Sequence, residues 1–159
     1  MNPALGVLIT VFLLLFNAFF VAAEFAVTSS RRAAVEPLAE QGKRGSKQAM
    51  FALEHVSIML AASQVGITVA STTLGVVAEP AIAQLIATPL AAVGVSEAGA
   101  HAVAFVLALL LVLFLHVVFG EMVPKNISIS NPERALLLLA PALVAIGRAL
   151  KPIVLALDR

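Results

Sequence analysis

Apolar and polar positions in this chain are sorted into long blocks rather than repeated at the short periods of a soluble fold. A helix needs roughly 20 successive apolar residues to cross the hydrocarbon core of a bilayer. Three such windows stand out: about Ala4 to Thr28, about Val56 to Val77, and about Ala100 to Phe119, the third reaching Glu121 at its inner end. The pattern predicts an all-α membrane protein with three transmembrane helices plus juxtamembrane and interfacial helices. No Lys or Arg precedes the first window, which is also longer than the apolar core of a signal peptide. It is expected to be a retained span.

The blocks between the windows differ in character. Residues 30–54 hold Arg31, Arg32, Lys43, Arg44 and Lys47, with Gly42 and Gly45 as breaks, and predict one or two short helices at the membrane surface. Residues 78–99 hold Glu79, Glu97, Pro80 and Pro89, and no Lys or Arg. From about 132 to 157, Leu136, Leu139, Leu143, Ile146 and Leu150 recur at three- and four-residue spacing, but Arg148, Lys151, Pro141 and Pro152 intrude. A basic residue at the centre of a span costs about 2.5 to 3.5 kcal/mol. This segment is therefore read as a juxtamembrane helix in the interface or packed under the spans, with a fourth span as the alternative.

Composition agrees with the block pattern. Of 159 residues, 61% are hydrophobic and 12% charged, too little polar surface to cover a soluble fold. The absence of cysteine excludes disulfides and thiolate metal sites. The net charge of +1 carries no nucleic-acid signature, and no nucleic-acid partner is expected. The distribution of charge says more. With the N-terminus outside, all ten Lys and Arg fall on the cytoplasmic side, five in the first loop and five from Lys125 onward. The positive-inside rule thus predicts a multi-pass protein of the cell (plasma or inner) membrane, N-terminus outside and C-terminus cytoplasmic.

Polar groups inside spans are costly unless they face protein, water or an ion. The first span holds Asn17 and Glu24, and the second a stripe of Ser57, Gln64, Thr68, Ser71 and Gly75, edged by Ser63 and Thr72. The third ends in His116, Gly120, Glu121, Pro124, Lys125 and Asn126. Each has an ordinary use: a hydroxyl bonding its own backbone, a glutamate paired with Arg31 or Lys125, a histidine packed in the core. Their joint chemistry suits a hard cation, since carboxylate, hydroxyl, amide and carbonyl oxygens are the ligands of Mg²⁺ and Ca²⁺. Pro124 removes a backbone donor and leaves a carbonyl near Gly120 without its helical partner. The stripe also needs protein around it, which predicts a homodimer. No Ser-His-Asp set, His-Glu-x-x-His motif or carboxylate dyad is present, and an enzyme is not expected.

The run Asn17-Ala-Phe-Phe-Val-Ala-Ala-Glu-Phe-Ala26 resembles the first span of the CNNM/CorC family, and Gln64-Val-Gly-Ile-Thr-Val-Ala-Ser71 resembles its second. Gly120-Glu-Met-Val-Pro-Lys125, followed by Asn131-Pro-Glu-Arg134, resembles its third-span signature and juxtamembrane helix. The resemblance covers nearly the whole chain. It implies a homodimeric Mg²⁺ transporter, in some members an exporter coupled to Na⁺, whose ATP-binding CBS domains follow in the cytoplasm and are absent from this chain. It implies Glu121 as the charged metal ligand, with Ser71, Gly120, carbonyls at Gly66 and at Val21 to Ala22, and Glu24. Val21 stands where relatives often have Ser. The rival reading is a membrane anchor that dimerises and positions cytoplasmic domains.

Overall fold

The computed structural model describes residues 2–157, and they form an all-α bundle. Helix α1 (Pro3–Ser29) starts where the Asn2 side chain accepts a hydrogen bond from the Ala4 N–H at 3.0 Å, with Pro3 in its first turn. Two short helices follow, α2 (Arg32–Glu40) and α3 (Ser46–Glu54). Helix α4 (Val56–Ala92) has 37 residues. Helix α5 (Glu97–Leu115) is capped by the Ser96 hydroxyl and passes into a π-helical segment, His116–Met122. Helices α6 (Val123–Ser130) and α7 (Pro132–Leu157) complete the described residues.

Four stretches among the described residues are long and apolar enough to cross a membrane: Pro3–Ser29, Val56–Ala92, Glu97–Ser130 and Pro132–Ala156. Their outward faces are apolar too, with Leu107, Leu110, Leu113 and Phe114 about half exposed on α5. Lipid is the solvent for such a surface. At 1.5 Å per residue α4 is about 55 Å long, well beyond a core of roughly 30 Å. It continues past Val77 through Pro80 and Pro89 because its inward face stays buried there, at Ala78, Ala81 and Ala87.

The helices pack through small residues. Ala100, Ala104, Ala108 and Val112 make a stripe on α5, and Met59, Ala62, Ser63, Gly66, Ala70 and Leu74 one on α4. Side chains of this size bring backbones close enough for dispersion to hold helices together without a hydrophobic drive. The core has two parts. At the end carrying the basic residues, Phe20, Ala23, Val27, Val35, Met59, Leu136 and Leu143 cluster. Toward the opposite end the cluster shrinks to Leu13, Leu74, Ala78 and Val112.

Helix α7 explains the difference in size. Its Leu136, Ala140, Leu143 and Val144 are buried against the bundle, and Gly147 lies under Met59. The Arg148 guanidinium sits 4.6 Å from the Phe51 ring centroid, so its charge is met by an aromatic face. The turn between α2 and α3 docks on α7 at Gly45. With φ at +82°, and with the Leu137 backbone where a β-carbon would go, that position admits glycine alone.

Candidate functional site

The most irregular backbone in the bundle is the π-helical segment His116–Met122. Its cause is two residues away. Pro124 has no N–H for the Gly120 carbonyl, and its ring crowds that carbonyl. The chain widens instead, and the Val123 N–H bonds to Val118 O, five residues back. The carbonyl of Gly120 turns toward α1, where the Asn17 amide Nδ2 donates to it at 2.9 Å. Asn17 is fully buried, and its own Oδ1 has no partner. A buried, unsatisfied acceptor of this kind costs about 1 to 3 kcal/mol.

Gly120 is held tightly. A β-carbon there would lie 2.9 Å from His116 Cδ2 and 3.2 Å from Asn17 Nδ2. His116 Nε2 is buried without a hydrogen bond, and Glu121 Oε1 lies 3.6 Å from it, beyond hydrogen-bond length. The Glu121 side chain is 49% exposed. Its carboxylate is thus a half-exposed charge next to the His116 imidazole, on the residue that follows Gly120.

The α1–α4 seam sets the other residues in place. Gly66 lies under the Phe20 ring, three of whose atoms would be 2.5 Å from a β-carbon there. Glu24 lies beside Gln64. These two contacts give an antiparallel register in which residues 69–71 of α4 lie level with Asn17. At that level Ala70 is fully buried and Ser71 stands next to it, half-buried, its hydroxyl donating to Thr68 O at 3.3 Å. Glu24 is seven residues further along α1 than Asn17, about 10 Å along the helix axis. The structure thus sets Gly120, with Glu121 next to it in sequence, against Asn17, leaves Ser71 bonded only to its own helix, and holds Glu24 one level further along α1. Val21 is buried within unbroken α1, and Ala22 lines a cleft on the α6–α7 side.

Asn17, His116 and Gln64 are legible in the sequence as polar residues of spans, but nothing along the chain gives any of them a place in the site. The signal for Asn17 was its seven-residue spacing to Glu24, and for His116 its place one turn before Gly120. Neither Glu24 with Arg31 nor Glu121 with Lys125 forms an ion pair among the described residues. Lys125 Nζ instead lies 4.8 Å from the Phe25 ring centroid. The stripe residues Ser57, Gln64 and Thr68 line an open cleft of about 510 Å³ that Val154 and Leu155 of α7 close on one side. Among the described residues no three His, Asp or Glu side chains gather as a metal cluster. Any ion here would be held by one carboxylate and neutral oxygens, the donor set of a hard cation.

These features define a multi-pass helical membrane domain with a break in one span that presents oxygen donors to its neighbour. Residues 8–159 match the family model described as the cyclin M transmembrane N-terminal domain, and the chain belongs to this CNNM/CorC family. It is a non-catalytic membrane module. The chain is 42% identical over 154 residues to the uncharacterized protein Rv1841c of Mycobacterium tuberculosis (strain H37Rv), covering 97% of this chain and 44% of that protein. It is 38% identical over 136 residues to UPF0053 protein YhdT of Bacillus subtilis (strain 168), covering 86% and 28%. UPF0053 protein YrkA of the same organism is 34% identical over 150 residues, with 94% and 35% covered. The chain spans less than half the length of these relatives.

Proposed function

We propose that this domain carries Mg²⁺ across the cell membrane, as an exporter coupled to Na⁺, with its N-terminus outside and its basic loops and C-terminus in the cytoplasm. The observation that supports this best is the Gly120 carbonyl, one residue before Glu121, turned out of its helix onto Asn17, whose Oδ1 is buried and unpartnered. Mg²⁺ takes about six oxygens at roughly 2.1 Å and gives up water reluctantly. Glu121 is the charged ligand in this reading. The Gly120 carbonyl, Asn17 Oδ1 and the Ser71 hydroxyl add neutral oxygens, and water completes the shell. His116 Nε2 lies 3.6 Å from this carboxylate, at the edge of the shell. Glu24 and Gln64 form a second level toward the cytoplasm, next to the cleft along the polar stripe of α4. Carbonyls at Gly66, Val21 and Ala22 would join the shell where the α1–α4 seam loosens.

The exposed stripe on α4 supports a homodimer, because Gln64 and Thr68 would otherwise meet lipid. ATP would act only through cytoplasmic domains beyond this chain. The competing reading is an anchor that dimerises without moving ions. Calorimetry with Mg²⁺ and flux into liposomes separate the two. The parent chain should bind and transport, and Glu121→Gln should abolish both while the dimer persists, since no other charge offsets the ion's own in a low-dielectric site. Mg²⁺ binding by Glu121→Gln equal to the parent's would refute the site, and no binding or flux by the parent would favour the anchor.

A further inference from the structure

Two adjoining clefts lie at the basic end of the molecule, on the α6–α7 side, the first meeting the cation site only at Ala22. One, about 600 Å³, runs between α6 and α7, with Ile127, Leu138 and Leu139 as apolar walls and Arg134 also lining it. The other, about 540 Å³, is lined by Arg44, Arg134, Leu137, Leu138 and Pro141. Arg134 and Leu138 line both, so the two share a wall on α7. No Asp or Glu lines either cleft. Among the described residues neither Arg44 nor Arg134 has an ion-pair partner. Ser128 also lines the first cleft, 1% exposed, and its Oγ has no partner.

We propose that the adjoining clefts hold one anionic phospholipid of the cytoplasmic leaflet, its phosphate at Arg44 and Arg134 and an acyl chain along Ile127, Leu138 and Leu139. Each part of the lipid answers an observation. Two guanidiniums without counter-charges select a phosphate-bearing anion, for which their planar fork is well shaped. Leu138, which lines both clefts, is 78% exposed, an apolar wall that free phosphate would leave uncovered. The orphaned Ser128 hydroxyl supplies a donor for an ester oxygen. Basic clefts between membrane helices on the cytoplasmic side are where anionic headgroups settle. The proposal takes the leaflet from the orientation proposed above and does not depend on the cation site.

Native mass spectrometry of the purified chain in detergent tests it, with phosphatidylglycerol, phosphatidylcholine and inorganic phosphate titrated separately. One phosphatidylglycerol per chain should be retained in preference to phosphatidylcholine, and millimolar phosphate should not displace it. Arg44→Gln and Arg134→Gln should each weaken retention about fivefold. Leu138→Glu, at an exposed position that leaves the fold intact, should also release the lipid. Lys151→Gln, a basic residue of the same helix outside both clefts, should leave it unchanged. Equal retention of the two lipids, or parent-like retention by the Arg44→Gln, Arg134→Gln double variant, would overturn the proposal. Displacement by phosphate would make the site one for a free anion. An effect of Lys151→Gln equal to that of Arg134→Gln would reduce it to general surface charge.

Discussion

Gly66 and Gly120 both lie where a neighbouring helix comes close to α1, yet they are used in opposite ways. At Gly66 the missing side chain is replaced by the Phe20 ring, and both helices run on undisturbed. At Gly120 the missing side chain leaves room for polar groups, the His116 ring and the Asn17 amide, and the helix itself is widened. The difference comes from the fourth residue along. Gly66 is followed by Ala70, which has an N–H to give, and Gly120 by Pro124, which has none. A glycine in a regular ladder becomes a packing hollow, whereas one in a broken ladder frees a carbonyl.

The comparison can be broken by filling each glycine. Gly66→Val should have the largest effect on the fold, costing roughly 1 to 3 kcal/mol through overpacking against Phe20. It would appear as a lower melting temperature in detergent, partly restored by adding Phe20→Ala. An unchanged melting temperature would mean that the α1–α4 seam is looser than described. Gly120→Ala should do the reverse, weakening Mg²⁺ binding about tenfold by displacing Asn17 and His116, with a smaller change in melting temperature. Equal effects of the two substitutions on stability alone would remove the distinction between hollow and site. Ser71→Ala should have the smallest effect, weakening Mg²⁺ binding less than tenfold, because one neutral oxygen is lost and water can take its place. Calorimetry reads this directly, and a loss as complete as that expected for Glu121→Gln would make Ser71 a principal ligand.

Some of the site could be read along the chain. Glu121 stands out as a carboxylate in a span end, and Pro124 announces a carbonyl without a donor near Gly120. What meets that carbonyl could not be read, because Asn17 is 103 residues away in sequence. The resemblance offers Gly66 as a carbonyl ligand, and nothing along the chain shows that the Phe20 ring packs over it. Glu24 was open to a pairing with Arg31 and instead faces Gln64 on another helix.

The amino-acid sequence alone determined that this chain is an all-α membrane protein, because length and hydrophobicity of a window are local properties that the bilayer reads directly. It also carried the basic-residue asymmetry on which the proposed orientation rests, another property of composition along the chain. Only the tertiary structure decided which polar groups meet. The helical period places residues on a face but leaves rotation and register between helices open. In this bundle both are set by contacts between distant segments, Phe20 on Gly66 and Asn17 on Gly120. The 37-residue reach of α4 was likewise settled by packing, since the buried Ala78, Ala81 and Ala87 outweigh two prolines that local preference would read as ends.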